Sequence, residues 1–283
     1  MALTIEPLAG NFGLEIKEID VPGISDDDLK GLLLRLYQQR VVVMRTNGLT
    51  KEQFVAFSRH VGDPILLDSS TDGYPELSTI TNVGMDTAKE KRGAAHWHSD
   101  QSFKEEVSSV TMLYSSQAPD RGGETRFCDM AAAYEALPAH VQEQIDDLMV
   151  EHRHGVSIVA PAGDHAPIPP QGWDQNATVY HPLVRRHPVT GQKTLYAISG
   201  TSQGIVGMDQ TQAETLLTSL CDHALQSEFI TQHAHSRHDL VMWDNPTTMH
   251  SASPIAAATG AHDTRLVHRI SLRGYPSIFS TSS

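Results

Sequence analysis

Cysteine is nearly missing from this sequence: Cys128 and Cys221 are its only two, and neither belongs to a CxxC pair. That excludes a disulfide framework and a thiolate zinc site, and leaves both as small buried residues of a reducing compartment. The first residues, MALTIE, have neither a basic n-region nor an apolar h-region, so no signal peptide is read there. No apolar run approaches the roughly 20 residues of a membrane span, and no block is of low complexity. Basic charge is also scarce: the formal net charge is −13, which disfavours nucleic acid and anionic membranes while permitting a local basic pocket. The expectation is a cytoplasmic globular protein without nucleic-acid or membrane partners.

What the sequence does have is histidine, 16 in 283 residues, far more than one mononuclear metal site uses, so most must serve elsewhere. The apolar pattern is mostly of strands. Residues 3–20 read as one or two strands around Gly10 and Gly13. Ser25 caps a helix carrying Leu29, Leu32, Leu33 and Leu36, and Thr50 with Gln53 forms a capping box before Phe54 and Phe57. Strands are predicted at 41–44, 77–82, 109–115, 124–128, 228–235, 239–243 and 266–273, with a hairpin turning at 188–192. Asp129 is expected to cap a helix over 130–137. Pro138 is expected to open another running to 149, and 209–226 reads as a helix. A polar loop is expected at 86–93 and a lid or insertion loop at 155–180. Regular βαβ alternation is missing, so a single domain over 1–283 is expected, mainly β with flanking helices (α+β).

His98-Ser99-Asp100 is the first chemical signal. On an extended segment, residues two apart point to one side, so an imidazole and a carboxylate can share one ion. With a second histidine, such as His250, they would make the 2-His-1-carboxylate face of non-haem Fe(II) oxygenases. Alone, such a tripeptide is as well read as an exposed polar pair. Arg265 and Arg269 sit four apart in an apolar stretch, where long cations are awkward unless they meet an anion or an inter-strand carboxylate. His233, His235 and His238 have strand spacing that would suit zinc or nickel, but a solvent-facing strand is the plainer reading. His152 and His154 read the same way, and His268 reads as core.

Five stretches occur together: WHSD at 97–100, GGETRFCDMAAAYEALP at 122–138, HPLVRRHPVTGQKTLY at 181–196, WDNPTTMH at 243–250 and RLVHR at 265–269. Through them the chain resembles the taurine dioxygenase/2,4-dichlorophenoxyacetate dioxygenase family of Fe(II)/2-oxoglutarate enzymes. The resemblance implies a double-stranded β-helix (jelly-roll, cupin-like) core. It makes His98, Asp100 and His250 the Fe(II) ligands, and Thr125 and Arg265 the partners of the distal carboxylate of 2-oxoglutarate. Arg269 would face the acidic group of a small anionic organic substrate.

The family's reaction consumes O2 and couples decarboxylation of 2-oxoglutarate to substrate hydroxylation. A carboxylate at position 100 fills the position a halogenase leaves for chloride, so hydroxylation is expected. Cleavage of a C–O, C–N or C–S bond would follow where the attacked carbon bears the heteroatom. Ile65-Leu66-Leu67 replaces histidines of the taurine enzyme, so Leu67 would favour a less polar body such as an aryloxyalkanoate. Alkylsulfonates, sulfate esters and amino-acid derivatives follow, and the leucines also read as core. A homo-oligomer, dimer or tetramer, is expected. The rival classes are a non-catalytic metal-binding sensor and a zinc hydrolase.

Overall fold

The computed structural model describes residues 4–67, 73–85, 96–159 and 177–275. The loop expected at 86–93 lies outside them, as does most of the lid expected at 155–180. Strands β1 (Thr4–Pro7) and β2 (Leu14–Lys17) form a hairpin, and helices α1 (Asp26–Gln39) and α2 (Lys51–Val61) flank β3 (Val41–Arg45). Next come β4 (Asp63–Pro64), β5 (Ser78–Thr81), β6 (Ser108–Gln117) and β7 (Thr125–Asp129), then α3 (Met130–Glu135) and α4 (Ala139–Ile145). Strands β8 (Met149–His152), β9 (Val179–Pro182), β10 (Val184–Arg186), β11 (Lys193–Leu195) and β12 (Ser202–Ile205) lead to α5 (Gln210–Ala224). The chain closes with β13 (Ile230–His233), β14 (Asp239–Asp244), β15 (Thr248–Ala252) and β16 (Leu266–Arg273).

An eight-stranded sheet runs β1-β2-β3-β14-β6-β16-β4, with β5 also paired to β16. Facing it is the three-stranded sheet β13-β7-β15. Strand alternation decides what lies between them. Val42, Met44, Met112, Leu240, Met242, Ile270 and Leu272 point outward, under α1 and α2. Val41, Val43, Leu113, Val241, Trp243 and Val267 point inward and pack with Phe127 of the smaller sheet. The inter-sheet layer is thus one face of each strand, as in a jelly roll. On the smaller sheet's outer side, Cys128 and Met249 join α3 and α5 in a second core.

The capping residues sit as expected: Ser25 accepts from Asp28 N, Thr50 and Gln53 form the capping box, and Asp129 accepts from Ala131 N and Ala132 N. Three expectations need correction. Helix α4 stops at Ile145 rather than 149, because Val150 and His152 alternate inward on β8, which pairs with β9 and β12. The strand expected over 228–235 is shortened by a 3-10 turn at Ser227–Phe229. The strand expected before the 188–192 turn divides at buried Leu183, with β9 pairing to β8 and β10 to β11.

Candidate active site

His250 lies on β15 opposite Phe127, which fixes its ring on the inward face. There it packs against Trp243 of the large sheet, ring centroids 4.7 Å apart. His98 lies outside the named strands. It makes a single antiparallel bridge, His98 N donating to His250 O at 3.0 Å and His250 N to His98 O at 2.8 Å. That bridge adds one more row to the edge of the smaller sheet and brings the two imidazoles to 4.3 Å. Gly200 (φ +86°) lets the next segment press on this row: a Cβ there would stand 2.8 Å from the His98 Cβ.

Asp100 follows in a turn, not on a strand face, and its Oδ1 lies 3.7 Å from His98 Nε2 and 3.8 Å from His250 Nε2. One ligand atom from each residue falls within 4.8 Å of the others. His98 Nδ1 is tied to His96 O at 2.7 Å, which turns Nε2 inward. Thr111 Oγ1 donates to Asp100 Oδ2 at 2.6 Å and accepts from Asn245 Nδ2 at 2.8 Å. Asn245 Oδ1 also accepts from Asp100 N at 3.3 Å and Trp243 Nε1 at 3.0 Å, so one amide positions the carboxylate from two sides. Neither Thr111 nor Asn245 is among the residues given a role from the sequence. The hint was present, since Thr111 alternates with Leu113 on the inward face of β6.

Burial pushes the Asp100 carboxyl up, but His250, Arg269, His98 and the Thr111 hydroxyl outweigh it and bring it down to about 2. Burial and the neighbouring His98 hold His250 neutral, down to about 3. An anionic oxygen and two inward imidazole nitrogens suit a borderline divalent ion such as Fe(II).

Arg265 ends the loop before β16 rather than lying on the strand. Its backbone is clamped to Asn82, Arg265 N donating to Asn82 Oδ1 at 2.7 Å, and Asn82 Nδ2 also holds Ala256 O and Asp263 O. The segment 256–265 is thereby fastened, and Arg265 keeps the inward parity of Val267 and Arg269. Arg265 is 7% exposed, and its Nε has no hydrogen-bond partner among the described residues. Burial alone draws its pKa down to about 10, with no carboxylate among the described residues opposing the shift. Such a cation fits a carboxylate brought by a ligand. Gly123 (φ +70°), next to Glu124-Thr125, makes room for it: a Cβ there would stand 2.8 Å from Arg265 Cδ.

Arg269 reaches Asp100, Nη1 to Oδ1 3.7 Å, with about a third of its side chain exposed. His268 points the other way, to Thr79 and Tyr114, as expected of core. Leu67 is half-buried and Leu66 is 60% exposed, so they are not core. Both line a cavity of about 590 Å³ with Ile65, Phe103, Ala177 and Val179 and with the polar Gln101, Lys104, Glu105, Glu106 and Arg273, while Arg269 is not part of its wall. The solvent-facing reading of His233 and His235 is overturned: both are buried, at 3% and 8% exposure. His233 pairs with Asp239 at 3.0 Å, and His235 Nε2 lies 2.8 Å from Thr125 Oγ1. The reason is register, since His233 faces Thr125 across the β13–β7 pair and shares its inward side. His152 is also buried, against Thr201.

Two imidazoles and a carboxylate between the sheets of a jelly roll define the class: a mononuclear non-haem metalloenzyme with coordination positions left for other ligands. The chain matches the family model "Taurine catabolism dioxygenase TauD, TfdA family" over residues 4–271. It is 31% identical over 273 residues to the alpha-ketoglutarate-dependent 2,4-dichlorophenoxyacetate dioxygenase of Cupriavidus pinatubonensis, covering 88% of this chain and 92% of that protein. To the alpha-ketoglutarate-dependent sulfate ester dioxygenase of Pseudomonas putida it is 26% identical, over 97% of this chain and 90% of the other. The solved structure of AAD-2 with Mn(II) and N-oxalylglycine is similar at TM-score 0.78 and 27% identity, covering 96% and 98% of the two chains. The chain belongs to the TauD/TfdA family and is an Fe(II)- and 2-oxoglutarate-dependent dioxygenase.

Proposed function

We propose that His98, Asp100 and His250 hold Fe(II), and that Thr125 and Arg265 receive the distal carboxylate of 2-oxoglutarate. The substrate proposed is a small hydrophobic organic acid, first an aryloxyalkanoate, which the enzyme hydroxylates. The observation carrying this reading is Arg265, a buried guanidinium with no carboxylate partner among the described residues, in a fold that also holds an N,N,O donor set. When bound, the iron with its cosubstrate supplies the O2-dependent oxidation; the protein's part is placement and exclusion of water. Trp243, Phe127, Leu113 and Val267 make the dry floor of the site. Arg269, reaching Asp100 yet partly open to solvent, would meet the substrate's acidic group. The cavity lined by Leu66, Leu67 and Phe103 would take its apolar body.

A sulfonate or sulfate ester is the second reading, favoured by the similarity to the Pseudomonas putida enzyme and by Arg269, which serves either anion. We further propose one domain, a cytoplasmic setting and a homo-oligomeric state. Succinate release in air should be screened over aryloxyacids, sulfonates, sulfate esters and N-substituted amino acids, with Fe(II) and 2-oxoglutarate present. Stimulation well above the substrate-free rate by aryloxyacids is expected. Stimulation only by sulfate esters would replace the first reading with the second, and none across the panel would remove the hydrophobic-acid proposal.

A further inference from the structure

His235 is a buried histidine outside the metal triad, and both its nitrogens meet hydroxyls. Nε2 lies 2.8 Å from Thr125 Oγ1 and Nδ1 lies 3.1 Å from Ser115 Oγ. These three side chains are buried, and among the described residues neither hydroxyl has another recorded hydrogen-bond partner. A neutral imidazole has one N–H and one lone pair, so only two proton arrangements exist.

If Nδ1 carries the proton, it donates to Ser115 and Nε2 accepts from Thr125. The Thr125 hydrogen is then spent on the imidazole, and the buried Ser115 hydrogen has no acceptor. If Nε2 carries it, Ser115 donates to Nδ1 and Nε2–H donates to Thr125 Oγ1. Each arrangement leaves one hydroxyl hydrogen over, on buried Ser115 in the first and on Thr125 in the second, and only at Thr125 would the proposed 2-oxoglutarate carboxylate be there to accept it. From this count we propose that His235, held as the Nε2–H tautomer by Ser115, is a positioning residue that turns the Thr125 hydroxyl toward the distal carboxylate of 2-oxoglutarate. The inference rests on the assignment of Thr125 and Arg265 to that carboxylate. Burial, with His233, Arg265 and Arg45 nearby, keeps the imidazole well below its ordinary range and therefore neutral, as a single-proton relay requires.

The test is anaerobic calorimetry on the Mn(II)-loaded full chain with two titrants. One is 2-oxoglutarate; the other is oxalate, which has a chelating pair but no distal carboxylate. His235→Leu should weaken 2-oxoglutarate about tenfold, the scale of one buried hydrogen bond, and leave oxalate unchanged. His235→Gln, which retains an N–H at similar reach, should recover most of the loss. In the unaltered protein, the ¹⁵N shifts of the His235 ring should report Nε2 as the protonated nitrogen. An equal loss for both titrants, no loss for 2-oxoglutarate, or a protonated Nδ1 each overturns the relay. Thr125→Ala separates the underlying reading: unchanged 2-oxoglutarate affinity there would mean that the carboxylate does not sit at Thr125 at all. Weakening in Thr125→Ala without weakening in His235→Leu would overturn only the role of His235.

Discussion

At the scale of single residues, the two arginines before and on β16 are set apart by what surrounds them. Arg265 is buried with no acid beside it among the described residues, whereas Arg269 is partly exposed and already faces Asp100. Removing Arg265 should therefore act on the ligand that supplies the missing charge. We expect Arg265→Gln to raise the KM for 2-oxoglutarate by about 10–100-fold, the scale of a lost charge-assisted pair. Arg269→Gln should act chiefly on the organic substrate, and steady-state kinetics with each ligand varied in turn would reveal a swapped pattern. Thr111 offers a different test because it would act through Asp100 and not on the metal itself. Its hydroxyl passes the order imposed by Asn245 on to Asp100 Oδ2. Thr111→Val keeps the shape and loses the hydrogen bonds, and should cost about 10–100-fold in metal affinity or turnover. A metal titration indistinguishable from the unaltered protein would show that the Asp100 rotamer needs no such support.

At the scale of elements, the site depends on turns that press strand edges together. Gly200 adopts a left-handed φ of +86° where the backbone passes over His98, and a Cβ would meet His98 Cβ at 2.8 Å and Trp97 O at 3.1 Å. Gly200→Ala should cost roughly 1–3 kcal/mol in stability from backbone strain. It should also weaken metal binding, because the nearest group that can yield is the His98 segment. Thermal melts and metal titration on the same variant check both, and a loss of stability with unaltered metal affinity would place the yielding elsewhere. The same scale explains what could be read from the sequence. Capped helices and alternating strands were legible because their signals are local: Ser25, the Thr50–Gln53 box, and the runs at 41–44 and 239–243. The residues proposed for the metal and for the 2-oxoglutarate carboxylate stand in motifs that share a family order. Helix α4 was overextended, because only the pairing of β8 with β9 and β12 says where it must stop. His233 and His235 were misread because an inward face is defined by the opposing Thr125, a residue distant in sequence.

At the scale of the whole molecule, the abundance of histidine becomes a statement about pH. Several of the histidines outside the metal triad are buried and neutral. His152 is fully buried, with Nδ1 2.9 Å from Thr201 Oγ1 and Nε2 without a hydrogen-bond partner among the described residues. Burial first, then His181 and Arg185, bring it from 6.5 down to about 3. His181 and His235 are shifted in the same direction, both chiefly by burial. Because the folded pKa lies below the unfolded one, the unfolded chain takes up protons below pH 6.5 that the folded chain refuses until about 3. Stability from this source is therefore complete above pH 6.5 and drains away between 6.5 and 3, by at most a few kcal/mol for His152. Exposed carboxylates also titrate toward the bottom of that window, so the wild-type slope alone assigns nothing. The contrast with a variant does. His152→Asn keeps a partner for Thr201 but cannot be protonated. At pH 8 it should melt below the wild type through lost packing, and its Tm should fall less steeply between pH 7.5 and 5. The two melting curves then approach one another as acid is added. Parallel slopes under the same metal conditions would show that the proton refused by the fold is held off at another histidine.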